Sequence, residues 1–281
     1  MIIIENSKEL SEKVTTLKKE SLCIGFVPTM GALHEGHLSL IECSNKDNDI
    51  TIVSIFVNPT QFNDKGDYAK YPRILEDDLE KLKKVKCDIL FTPSENNMYP
   101  SEDNREFNFG NLDKVMEGEH RPGHFRGVAL IVSKFFEIVN PDKAYFGEKD
   151  FQQLAIIKSL TNQLNFDIDV ISCPILREKD GLAMSSRNML LTADQRANVK
   201  LISMTLLNAQ EKAKSMTVSE TKDWVKETIN KNVFLKVEYF EIVDYTSLEP
   251  ISSWNSEIEK VGCIAVQVGT IRLIDNIRFY S

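Results

Sequence analysis

The sequence predicts an α/β fold in two parts: a parallel-sheet domain over residues 1–176 and a smaller α+β domain over 177–281. Three observations predict it. Strand-like and helix-like segments alternate through the first two-thirds of the chain, the pattern of a parallel sheet covered on both faces. The run ITIVSIFV at 50–57 is β-branched and almost wholly apolar, as in a strand buried on both sides. After Leu176 the alternation gives way to two long helical patterns and then to strands, which marks a second unit.

Taken in order, a strand over 23–27 ends at Pro28, and a Gly/His loop leads into a helix over 36–44. The strand 50–57 follows, then a polar loop over 58–70, a helix with a clear polar face over 75–85, and a short strand over 88–91. Residues 93–125 are polar and irregular, which points to a functional excursion. A buried helix over 127–139, a strand over 144–146, a helix over 151–164 and a strand over 168–173 complete a Rossmann-like domain. Such sheets bind ligands beyond the carboxyl ends of their strands, where the strand order switches. In the second unit the patterns predict helices over 193–215 and 218–230, and strands over 237–243, 263–268 and 271–274.

The chain has 281 residues, 42% hydrophobic and 27% charged, enough apolar material for a sizeable core. Its formal net charge of -8 argues against a nucleic-acid partner, which calls for a basic surface. Five cysteines lie far apart with no CxxC pair, so a reducing compartment is expected in place of a disulfide framework. The N-terminal apolar run has no basic stretch before it, unlike a secretory signal, and no segment approaches the roughly 18 apolar residues of a membrane span. A cytoplasmic protein with no membrane partner is the expectation.

The chemistry gathers at strand ends. In VPTMGALHEGHL, 27–38, a glycine-bearing turn opens a helix, so free N–H groups and the helix dipole favour phosphate. His34 and His37 are three residues apart and emerge from one side of the first turn. There they can donate hydrogen bonds to an α-phosphate as charge builds on it. Gly36 between them lets a flat nucleotide approach the backbone. The plainer reading is a polar helix start with two solvated histidines. All four histidines fall in two clusters, His34/His37 and His120/His124. Two such pairs are also raw material for a zinc site, although Arg121 and Arg126 beside the second pair suit an anion better.

Asn58 and Gln61 in NPTQF follow the buried strand and offer amides suited to a hydroxy acid, or form a common Asn-Pro turn. Glu76, Asp77 and Asp78 open a helix, where acidic residues usually serve the dipole; Asp77 and Asp78 could also hold Mg²⁺. In FGEKDFQQ, Gly147 ends a strand, Lys149 can reach phosphate, Asp150 can cap the next helix or accept a ribose hydroxyl, and Gln153 can face a substrate. Ser185, Ser186 and Arg187 in MSSRN supply two hydroxyls and a fixed cation on a junction segment suited to a lid. A hydrophilic linker is the alternative there.

Together the runs PTMGALHEGHLSLI, IFVNPTQF, HRPGHFRGV, AYFGEKDFQQL and GLAMSSRNMLL resemble the pantothenate synthetase family, in its order and spacing, and weaker similarity continues through YFEIVDYTSLEPI and IRLIDN. The resemblance implies ATP-dependent joining of pantoate to β-alanine through pantoyl adenylate, with Mg²⁺ accompanying ATP, and a homodimer. It implies phosphate-facing roles for His34 and His37, the latter as the catalytic donor. ATP contacts are implied at Met30, Gly147, Lys149, Asp150, Ser185, Ser186, Arg187 and the Leu176 backbone. Gln61 and Gln153 match pantoate-binding positions, with Asn58 in the same pocket. Asp77 and Asp78 match the acidic pair linked with Mg²⁺, and Arg121 with His124 matches a supporting pair. Two positions depart from the pattern: Ile74, where many members carry Thr, and Ala183, where related signatures carry lysine.

Overall fold

The computed structural model describes residues 1–63, 65–255 and 257–280. The first unit holds strands β1 (Ile2–Ile4), β2 (Ile24–Thr29), β3 (Ile50–Ile55), β4 (Ile89–Phe91), β5 (Lys143–Gly147) and β6 (Asp169–Cys173). They form one sheet, in the order β1-β4-β3-β2-β5-β6, with every pairing parallel. Between them run α1 (Ser7–Lys19), α2 (Glu35–Asp47), α3 (Lys65–Lys70), α4 (Leu75–Leu82), α5 (Glu95–Met98), α6 (Glu117–His120), α7 (His124–Val139) and α8 (Phe151–Gln163).

Side-chain alternation along each strand explains the two covered faces. Phe26, Ile52, Phe91 and Ala144 point to the core shared with α1, α7 and α8. Their neighbours Val27, Val53, Leu90 and Tyr145 point to the core shared with α2 and α4. A strand with both neighbours buried reads as an unbroken apolar run, which is why 50–57 was legible.

The chain order switches between β2 and β5. These strands pair only at Gly25↔Lys143 and Phe26↔Ala144, whereas β2 pairs with β3 over its whole length. Past that point β2 and β5 separate, and their carboxyl ends bound an open crevice. Close packing on either side fixes its walls. A Cβ at Gly127 in α7 would lie 2.2 Å from the Thr60 carbonyl, so only glycine lets α7 meet the turn 59–61.

The second unit has α9 (Ala193–Asn198), α10 (Lys200–Lys212), α11 (Val218–Asn230), β7 (Leu235–Asp244), β8 (Lys260–Val268) and β9 (Ile271–Phe279). The three strands form an antiparallel sheet. One face buries Phe240, Ile264 and Leu273 with residues of α10 and α11. The other packs Tyr239, Val261 and Cys263 against Met116 and Phe151 of the first unit.

Several expected elements differ. The sequence reading assigns no element to residues 1–20, where β1 and α1 lie; Asn6 caps α1 by accepting from the Lys8 and Glu9 N–H groups. The single helix expected over 193–215 is two, meeting at the fully buried Val199. The strand expected over 271–274 continues to Phe279, because Asp275 and Asn276 are buried and hydrogen-bonded, Asp275 to Arg177 and Asn276 to the Glu148 and Lys149 carbonyls.

Candidate active site

A cavity of about 210 Å³ fills the crevice between β2 and β5. Met30, His34, His37, Asn58, Gln61, Gly147, Lys149, Asp150, Gln153 and Leu176 all line it, so four sequence segments meet at one place. A second chamber of about 560 Å³ shares Tyr71, Lys149 and Asp150 with it and adds Arg121, Ser185, Ser186 and Arg187.

The two histidines are held by the helix they start. His34 is the N-cap of α2, and its Nδ1 accepts from the Gly36 N–H at 3.1 Å. The Nδ1 of His37 accepts in return from the His34 N–H at 3.3 Å. A backbone N–H can only donate, so both Nδ1 atoms are unprotonated and both rings carry their proton on Nε2. The rings lie 4.0 Å apart. Burial first, then the Lys149 charge, brings His34 down to about 4. Burial, His34, Lys149 and Lys81 hold His37 well below its ordinary value. The pair is therefore neutral and presents two Nε2–H donors. Gly36 serves this cap: a Cβ there would sit 2.8 Å from the His34 ring.

The loop before the histidines is strained, with φ of +79° at Gly31 and +49° at Ala32. Asp78 from α4 holds it. Its buried carboxylate accepts from the Ala32 N–H at 2.9 Å and the Leu33 N–H at 2.7 Å. Lys81 donates to the Leu33 carbonyl at 2.7 Å. Burial raises the Asp78 carboxyl and these N–H groups oppose the shift. Asp77, beside it on α4, is exposed, and neither aspartate lines the cavity or the second chamber. The expected metal-holding pair thus stands in two different settings: each Asp78 oxygen accepts one backbone N–H, and Asp77 is exposed. Nor do the histidines make a zinc site. His124 uses both ring nitrogens on protein, His120 stacks on Tyr239, and no cluster of three or more potential ligands occurs among the described residues.

On the amide side, Asn58 is 1% exposed and fully engaged. Its Oδ1 accepts from Tyr99 at 2.7 Å and Thr60 Oγ1 at 3.0 Å; its Nδ2 donates to Gln61 Oε1 and the Gly127 carbonyl, both at 3.1 Å. Asn58 therefore orients Gln61 and has no polar site left for a substrate, a correction to its expected direct contact. Gln61 Nε2 points to Met30 Sδ at 2.8 Å. Behind Gln61, its carbonyl accepts from His124 Nδ1 at 2.8 Å, and Arg121 donates to His124 Nε2 at 3.1 Å. Arginine only donates, which fixes the His124 proton on Nδ1. Burial and the Arg121 charge bring His124 down to about 4.

Two adjacent glutamines on α8 part company. Gln152 is buried and bonds Leu112, Val115 and Glu117 backbone. Gln153 faces the cavity. Lys149 Nζ lies 3.3 Å from the Asp150 carboxylate, which makes no cap to α8, contrary to the capping role considered above. Gly147 is open: an added Cβ would meet nothing within 4 Å. The Leu176 carbonyl accepts from the Met184 N–H at 3.0 Å. Ser185 Oγ accepts from the Arg187 N–H at 3.3 Å. Burial raises Tyr71, opposed by a hydrogen bond with Ser186 and by Arg187.

Sequence reasoning missed Glu117 and Arg272. Glu117 bonds Arg272 through both oxygens, at 2.6 and 2.8 Å, and accepts from Tyr239 at 2.8 Å. Burial would raise its carboxyl, but Arg272, Tyr239 and Arg121 hold it down to about 2. No local motif signals this partnership across more than 150 positions.

The family model described as Pantoate-beta-alanine ligase matches residues 2–278. Pantothenate synthetase of Bacteroides thetaiotaomicron is 52% identical over 279 residues, covering 99% of each chain, and that of Porphyromonas gingivalis is 48% identical over 279 residues with the same coverage. The pantothenate synthetase structure from Thermus thermophilus superposes over 100% of both chains with a TM-score of 0.92 and 38% identity. The pantoate-beta-alanine ligase of Francisella tularensis, complexed with β-γ ATP and β-alanine, covers 99% of this chain and 97% of its own, with a TM-score of 0.82 and 36% identity. The chain belongs to the pantoate-beta-alanine ligase family.

Proposed function

We infer that the protein joins pantoate to β-alanine at the expense of ATP. The observation that carries this reading is the pair of neutral imidazoles, each held through Nδ1 by a backbone N–H and each lining the crevice. A carboxylate is a poor acyl donor. Attack of a pantoate carboxylate oxygen on the α-phosphorus of ATP breaks the bond to the β-phosphate and gives pantoyl adenylate and pyrophosphate. Negative charge grows on the α-phosphoryl oxygens in that step, where His37 and His34 donate. The amine of β-alanine then attacks the acyl carbon, loses a proton, and expels AMP. No protein nucleophile is needed, so positioning supplies much of the rate.

Pantoate has two hydroxyls, a carboxylate and a dimethyl carbon between them. Gln61 and Gln153 suit the oxygens, and Val132 and Phe135 of the same cavity suit the methyl groups. Lys149, Ser185, Ser186 and Arg187 suit the phosphates, Asp150 the ribose, and Met30, Gly147 and the Leu176 backbone the adenosine. Mg²⁺ would accompany ATP and offset the charge of its phosphates. Residues 1–176 form the catalytic unit and 177–281 the lid; the separate apolar cores on either side support this division. A cytoplasmic homodimer is the expected form. Five free cysteines and the absence of a membrane-crossing helix among the described residues fit that setting.

The test is an assay with ATP, β-alanine and pantoate carrying ¹⁸O in its carboxylate. AMP and pantothenate should form together, with one labelled oxygen in AMP. Label in inorganic phosphate, or pyrophosphate release that does not depend on pantoate, would refute the adenylate route.

A further inference from the structure

Strand β9 has two faces of different character. Its odd-numbered residues Leu273, Ile277 and Phe279 pack on the apolar core of the second unit. Alternation turns the even-numbered residues toward the first unit. Three of those are polar: Arg272, Asn276 and Arg278. Asn276, only 6% exposed, donates its amide to the Glu148 carbonyl at 2.8 Å and the Lys149 carbonyl at 3.2 Å. The 3-10 turn at 148–150, which carries Lys149 and Asp150, has no side-chain cap of its own. Arg272 grips Glu117 with two bonds. From Glu117 the line runs to Arg121 at 3.5 Å, to His124, and to the Gln61 carbonyl.

We propose that Asn276 and Arg272 are positioning residues, one for each wall of the cavity: Asn276 fixes the backbone that aims Lys149 and Asp150, and Arg272, through Glu117, Arg121 and His124, fixes Gln61. The docked second unit is then the state in which both walls are set. The proposal rests on the ligase reading above, in which Lys149 and Asp150 serve ATP and Gln61 serves pantoate.

A structural role would disturb both walls alike, whereas positioning roles separate. Asn276→Ala should raise the KM for ATP, and weaken a non-hydrolysable ATP analogue in calorimetry, by roughly tenfold, within the range for the two hydrogen bonds it loses, with the pantoate KM within about twofold of wild type. Arg272→Lys keeps the charge but loses the fork, and should do the reverse. Asn276→Ser keeps one donor and should fall between alanine and wild type; it and Glu117→Gln are read by the same criterion where the first variants do not fold. Equal changes in both KM values, or none, would overturn the proposal. Wild-type enzyme that makes no pantoate-dependent AMP would instead refute the ligase reading, before any variant is compared.

Discussion

Asp78→Asn separates a loop clamp from a metal ligand. The side chain keeps its shape, but one of two acceptors becomes a donor. The Ala32 and Leu33 N–H groups, now held at 2.9 and 2.7 Å, can no longer both be satisfied. One buried N–H and one buried amide hydrogen are left facing each other. An orphaned buried donor costs on the order of 1–3 kcal/mol, and relief of the buried charge offsets part of it, so about 2 kcal/mol is expected. For a chain of this size that lowers Tm by roughly 4–8 °C. The released strain at Ala32 should also loosen His34 and lower kcat. The assay is thermal unfolding with EDTA present, followed by activity over a range of Mg²⁺. An unchanged Tm in EDTA, with activity restored by high Mg²⁺, would refute the clamp and favour the metal-ligand role.

Four other outcomes follow from the same geometry. His37→Ala should lower kcat by about 10²–10³-fold, with the KM for ATP within about threefold, because the donor acts on charge that grows in the transition state; unchanged turnover would remove that role. Gln153→Ala should raise the pantoate KM at constant Tm, while Asn58→Ala should raise it and also lower Tm, since Tyr99 and Gly127 lose their partner. Equal Tm for both variants would contradict the division of roles. Gly36→Ala should disable the His34 cap and reduce activity, checked by kcat and by the crystal structure of the variant; a wild-type rate would show that the ring adapts. Finally, His34 and His124 lie near 4 when folded against 6.5 when unfolded, so between those values the unfolded chain binds more protons. Stability is full above that window and falls as pH drops through it. The urea midpoint should therefore be lower at about pH 5 than at about pH 7, and a flat profile would count against the neutral, buried imidazoles.

The sheet was legible because burial on both faces writes itself into consecutive residues, as at 50–57. The cavity was legible because its lining comes from strand ends, each marked by its own short motif. The groups beside the cavity were legible only in part: Gln153 was expected to face a substrate, but the structural task of Gln152 was not read. Gln152 and Gln153 are chemically identical neighbours, and only the helix rotation sends one to backbone carbonyls and the other to the cavity. Nothing local to Asp78 shows that a loop about 46 residues earlier bonds both of its oxygens. The second half of β9 was lost for a related reason. Buried Asp275 and Asn276 imitate the polar end of a strand, when in fact they bond Arg177 and the Lys149 turn.

The reciprocal cap of His34 and His37 also bears on how the reaction ends. Two imidazolium groups at that position would attract a polyanion strongly, and would hold the departing pyrophosphate as firmly as the incoming triphosphate. Neutral donors discriminate by direction and much less by charge. They match the crowded oxygens of a phosphorus under attack and relax their hold once the bond to the leaving group has broken. Because each ring is pinned through Nδ1 to the start of its own helix, neither has to reorient during the cycle. The first turn of α2 thus keeps the site receptive to chemistry without making it a trap for its own product.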